Sequence, residues 1–133
     1  MDREIAARAL AGVGDCCFKK GDRENAIDYW ELAVEKSPTS EIVAAGLAEV
    51  LFSVGKDREA EAYYLKAIHI APTSPDIRLK LAFLYLHLDE FDKARVELYK
   101  IIRLQPGSEA AAQARKYLNE IADRRKAGTP LSS

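Results

Sequence analysis

Side chains able to do covalent or metal chemistry are few in this chain. Among 133 residues there are two histidines, His69 and His87, and two cysteines, Cys16 and Cys17. His87 comes 34 residues after Ser53, and a serine beside a histidine is the start of a nucleophile–base pair. Such a pair works only with a carboxylate to orient the imidazole and with donors for an oxyanion. No such set is legible around these positions, so a surface histidine beside a serine is the simpler reading. His69 stands apart, and two separated histidines without acidic ligands at the right spacing make no metal site. Cys16 and Cys17 are adjacent and cannot close a long loop. They read as small core residues of a reducing compartment. HExxH, CxxC and the glycine-rich phosphate loop are all missing. These residues predict no enzyme: no catalytic set, no metal and no cofactor.

Composition points the same way. Lysine and arginine total 20 and aspartate and glutamate 21, for a net charge of -1, with 48% apolar and 31% charged residues. A chain of this kind buries a core under a charged surface and is not a disordered segment. Its balanced charge argues against a general nucleic-acid or anionic-membrane binder. No segment approaches the ~20 apolar residues of a membrane-crossing helix, so no membrane insertion is expected. MDREIAARAL carries Asp2 and Glu4 and is not a secretory leader. A cytoplasmic location is the default expectation, with an exported mature form or a fragment of a larger protein as alternatives.

The elements that would position any site emerge from an internal period. Pro38, Pro72 and Pro106 lie 34 residues apart, and so do Ser40, Ser74 and Ser108. Segments 7–40, 41–74 and 75–108 align without gaps. Ala26, Ala60 and Ala94 share one register, Trp30, Tyr64 and Leu98 a second, and Ala33, Ala67 and Ile101 a third. Each segment reads as two helices. Ala44, Leu47, Ala48, Leu51 and Val54 recur at steps of three and four, and Ala60, Tyr63, Tyr64, Ala67 and Ile68 repeat the pattern. Gly21 and Gly55 are suited to the left-handed residue that ends a first helix, with Asp89 as the tolerated substitute. The prolines end each second helix, the serines are N-cap candidates, and Pro75 suits a first helical position.

These residues resemble the tetratricopeptide repeat, a 34-residue helical pair. Leu47, Ala48, Leu51, Ala60, Tyr64 and Pro72 stand at its signature registers. Val13, Gly14, Cys17, Ala26, Trp30 and Pro38 do so in the first segment, and Leu81, Ala82, Tyr85, Ala94, Leu98 and Pro106 in the third. At the register of the family's tryptophan the chain carries Leu10, Ala44 and Arg78. The resemblance covers residues 7–108. It implies an all-α, right-handed α-solenoid of three antiparallel helix pairs. Residues 109–125 read as a capping helix, with Ala111, Ala114, Leu118, Ile121 and Ala122 on its apolar side. That makes about seven helices in a single domain over 1–125, followed by a disordered tail over 126–133.

The first helices of such a stack line a concave groove, which the resemblance makes the expected binding surface. By register its lining includes Asp15 and Phe18, then Ile42, Ala45, Glu49 and Phe52, then Leu79, Phe83, Leu86 and His87. Phe18 and Phe52 fit either a ligand surface or packing between first helices. Phe83 stands where the other segments carry acids and favours binding. A largely apolar groove with acidic points suggests a peptide or amphipathic helix as ligand. Some family members clamp the C-terminal carboxylate of chaperone peptides with lysines, asparagines and an arginine. The matching registers here are Ala11, Asp15, Gly46, Asp76 and Lys80, and only Lys80 keeps the required charge. Asp15 and Asp76 would repel a carboxylate. The basic residues Arg115, Lys116, Arg124, Arg125 and Lys126 read as the wet face of the cap. The expected function is a non-catalytic scaffold or adaptor that binds a protein or peptide, with no nucleic-acid partner. The alternatives are a self-associating structural module, or the interaction arm of a larger enzyme or of a secretion or assembly complex.

Overall fold

The computed structural model describes residues 2–126. They form seven helices: α1 (Asp2–Lys19), α2 (Arg23–Lys36), α3 (Glu41–Ser53), α4 (Asp57–Ile70), α5 (Pro75–His87), α6 (Phe91–Leu104) and α7 (Glu109–Lys126). No strand occurs among the described residues. The sequence period therefore resolves into three helix pairs and a seventh helix, an all-α helical repeat. Of the tail expected over 126–133, Lys126 still belongs to α7 and the rest lies outside the described residues. The lead-in before residue 7 is already helical, and Glu4 pairs with Arg8 one turn later at 3.1 Å.

The turn inside each pair is built by one hydrogen-bond motif, repeated at the 34-residue spacing. Gly21 and Gly55 have φ of 87°, and Asp89 takes their place at 59°. Each sits where the left-handed backbone lets the next amide reach back into the helix just ended. Asp22 N–H donates to the Cys17 carbonyl at 2.9 Å, Lys56 N–H to Leu51 at 2.9 Å, and Glu90 N–H to Tyr85 at 2.8 Å. Serine caps the helix that follows in two of the three turns after a pair. Ser40 Oγ accepts from the Val43 amide at 3.3 Å and Ser108 Oγ from Ala111 at 3.0 Å. Ser74 occupies the same N-cap position, but its hydroxyl makes no cap bond, and Pro75 opens the helix behind it.

Contacts gather the chain into two compact units, the first ending at Pro72 and the second beginning at Thr73. In the first, α1 packs on α2, α2 on α3 and α3 on α4, while α1 also touches α3. Ala26, Ala33, Ala48, Ala60 and Ala67 have no exposed surface, and Leu47, Leu51 and Tyr64 fill the space that these small residues leave. Trp30 is held between two glycines. A Cβ on Gly14 would lie 2.7 Å from Trp30 Cδ1, and one on Gly46 would lie 2.2 Å from Cζ3. Neither position has room for a methyl group. The indole Nε1 is buried without a hydrogen-bond partner among the described residues. Close packing of the ring offsets that cost of about 1–3 kcal/mol. Cys16 is exposed and Cys17 half-buried, so the expectation that both are core residues is corrected. On α1 the buried residues are Ala7 and Gly14, and Cys16 lies about 200° around the helix from Gly14.

In the second unit α5 packs on α6 and α6 on α7, with α5 also touching α7. Leu81, Leu84, Leu98, Ile101 and Ile121 are its large buried side chains. Arg78 is not a packing defect. Its guanidinium meets Glu97 Oε1 at 2.8 Å, with both side chains only 11% exposed. The first two segments carry Leu10 with Tyr29, and Ala44 with Tyr63, at these two registers. The third replaces both members at once, so each buried charge finds its opposite. On α7, Ala111, Ala114 and Ile121 are buried and Leu118 is half-buried. Ala122, expected on the same side, is exposed. It lies one residue past the edge of the stripe that faces α5 and α6.

Candidate functional site

In the first unit the candidate residues lie on α1 and α3. Asp15 is exposed and engages Lys19 at 3.2 Å, one turn along α1. Phe18 and Phe52 are half-buried, so each combines packing with some accessible ring surface. Ile42 is the most exposed large apolar side chain, at 68%. Ala45 is only 6% exposed and presents almost nothing to a ligand. Glu49 is exposed, and its charge is felt inside: burial holds the Tyr64 phenol well above its ordinary pKa, and the Glu49 carboxylate pushes it the same way. The phenol is therefore a neutral structural group. Ser53 is no nucleophile in waiting, because its hydroxyl donates to the Glu49 carbonyl at 2.8 Å within α3.

The second unit brings its candidates together with Phe91 of α6 and with α7 residues that have no counterpart in the repeat. Phe83, Leu86 and His87 on α5 share a recess of about 220 Å³ with Phe91 at the start of α6 and with Tyr117, Glu120, Ile121 and Arg124 on α7. Leu79, one turn earlier on α5, is half-buried and stands outside it. Phe83 is half exposed, at 50%, whereas Phe91 and Ile121 are buried at 4% and 2% and form a floor. The Arg124 guanidinium lies over the Phe91 ring, 5.5 Å from its centre. This contact fixes a cation at the rim of an apolar floor. Such a recess can seat one bulky apolar side chain and offer polar contacts around it.

Four of the lining residues, Tyr117, Glu120, Ile121 and Arg124, come from α7, and register reasoning had no access to them. Ile121 was legible as a buried residue of the cap, but not as the floor of a recess. Two of the basic residues of α7, Arg115 and Arg124, serve different contacts. Arg115 donates to the Pro106 carbonyl at 3.0 Å, while Arg124 faces the recess. The side chains of Arg125 and Lys126 lie outside the described residues. Among the described residues no group of three His, Cys, Asp or Glu side chains could hold a metal ion. No helix among them is long and apolar enough to cross a membrane.

Residues 7–39 and 58–118 match family models that are both described as tetratricopeptide repeat. No curated protein sequence matches the chain. Solved structures of similar fold are numerous. The first TPR of Spaghetti (RPAP3) bound to the HSP90 peptide SRMEEVD superposes with a TM-score of 0.75 at 20% identity, covering 90% of this chain and 95% of that one. The Arabidopsis OM64 TPR domain gives 0.74 at 17% identity over 89% and 98%. The second TPR domain of human RPAP3, in complex with the HSP70 peptide SGPTIEEVD, gives 0.71 at 19% identity over 88% and 95%. At these identities the likeness establishes the fold.

Proposed function

The chain belongs to the tetratricopeptide repeat family, and from that premise we propose that it is a non-catalytic protein-interaction module that takes an apolar side chain of a peptide or amphipathic helix into the α5–α7 recess. The observation that carries this reading is the recess itself. Phe83 is half exposed beside the buried Phe91 and Ile121, and His87, Glu120 and Arg124 stand around them. A half-exposed phenylalanine over an apolar floor leaves apolar surface in water that a docking partner would bury. Ile42, Glu49, Phe52, Phe18 and Asp15 offer a second surface on the first unit, apolar with acidic points.

Related folds hold peptides from HSP90 and HSP70, which supports a peptide as the ligand class. Their acidic tails do not suit it. Asp15 and Asp76 are exposed at clamp registers, and Ala11 and Gly46 lack donors there. The test is a peptide-array screen of the folded protein, with SRMEEVD and SGPTIEEVD among the probes. Helical peptides with one aromatic or branched aliphatic anchor should be retained, and the two chaperone peptides should not. Phe83→Glu with Leu86→Glu should abolish retention while the helical circular-dichroism signal stays unchanged. Equal retention by wild type and variant would remove the recess from the binding surface.

A further inference from the structure

A different face, the outer side of α6, carries a partner preference of its own. Val96, Tyr99 and Leu104 are 51%, 59% and 40% exposed, three of the four large exposed apolar side chains described in the second unit. Val96 and Tyr99 join Lys100 and Arg103 around a shallow depression of about 330 Å³. These four fall at steps of three, four and seven residues, a straight stripe along the helix. The one carboxylate in this stretch, Glu97, is 8% exposed and turned toward Arg78. The surface from 96 to 104 is therefore apolar and positive. Arg103 has no ion pair among the described residues, and Lys100 reaches Glu97 only at 3.8 Å.

Two repeats earlier, the same registers on α2 hold the complementary set. Asp28, Glu31, Leu32 and Glu35 stand where α6 has Val96, Tyr99, Lys100 and Arg103. All four are exposed, Leu32 at 43%, and Glu24 extends the acidic stripe by a turn. None of these carboxylates has an ion pair among the described residues. Both helices have 14 residues, so the two stripes match in length and spacing.

We propose that the outer face of α6 docks the outer face of α2 of a second copy of this chain. Leu32 covers Val96 and Tyr99, and the α2 carboxylates meet Lys100 and Arg103. The occupant follows from charge complementarity: a positive apolar stripe on one helix and a negative one with a single leucine on the other, which set Leu32 on Tyr99, Glu31 on Lys100 and Asp28 on Arg103 when the two helices run antiparallel. The two faces differ, so each contact pairs the α2 face of one copy with the α6 face of the other. One helix pair buries less than the roughly 1,600 Å² of a standard stable interface, so the association is weak and grows with concentration. Its charged part is screened by salt.

Sedimentation velocity of the full chain from about 10 µM to about 1 mM, the range where such weak contacts become populated, tests the proposal. The weight-average mass should rise with concentration at low salt and fall back when salt is raised. Lys100→Glu with Arg103→Glu should weaken association by about tenfold or more, and so should Glu31→Lys with Glu35→Lys. A chain carrying all four changes should regain it, a recovery that misfolding cannot imitate. Phe83→Glu with Leu86→Glu should leave it intact, which keeps this contact separate from peptide binding in the recess. A monomer at every concentration overturns the proposal. So does association that survives salt and α6 charge reversal, or that the recess variant removes.

Discussion

The two units solve the same packing problem with opposite chemistry. In the first, a bulky indole is accommodated by deleting side chains: Gly14 and Gly46 leave room for Trp30 on both sides. In the second, an apolar pair of registers is exchanged for a buried ion pair, Arg78 with Glu97. Both keep the same helix pair and the same left-handed turn. The comparison teaches that the repeat tolerates a large change at one register only when its contact partner changes with it. Size is matched by absence in one case, and charge by opposite charge in the other.

That comparison can be broken at each end. The largest effect is expected from Glu97→Ala, which takes the carboxylate away from the buried Arg78 guanidinium and should lower unfolding stability by about 3 kcal/mol in urea titrations. Arg78→Leu combined with Glu97→Tyr restores the registers of the first segment and should recover most of the loss. A double variant as unstable as the single one would show that the exchange is not pairwise. Next comes Gly46→Ala. Its new methyl would meet the Trp30 ring and should cost about 2 kcal/mol, with a shift in tryptophan emission. The same substitution at Gly12, where nothing lies within 4 Å, should instead stabilise α1 by up to about 1 kcal/mol. The smallest contrast concerns the caps. Ser108→Ala removes a bond to Ala111 and should cost about 1 kcal/mol, whereas Ser74→Ala removes no cap bond and should be nearly silent in thermal melts.

Much of the fold was legible because it is periodic. Pro38, Pro72 and Pro106 mark helix ends through steric exclusion. Gly21, Gly55 and Asp89 mark turns through the left-handed backbone. Both are local effects that need no knowledge of neighbours. Part of the candidate site was legible for the same reason, since Phe83, Leu86 and His87 share one helix face with their counterparts in earlier repeats. The rest was not. Tyr117, Glu120 and Arg124 belong to α7, which follows the last repeat and has no register to copy. Phe91 opens α6 and carries no signal of its own in the sequence, and in the structure Arg124 of α7 lies over its ring. Ala45 read as groove lining from its register, yet packing leaves it 6% exposed. Cys16 and Cys17 read as core from residue type alone, whereas α1 turns Cys16 outward.

Local sterics and spacing, visible in the sequence, determined the seven helices and their turns. These depend on contacts within a few residues or on a strict 34-residue recurrence. Only the tertiary structure decided which atoms meet across helices: the indole between two glycines, the guanidinium against Glu97, and Arg124 over Phe91. Such contacts join residues many positions apart, and their distances follow from how whole helices settle against each other. No period in the chain encodes that settling.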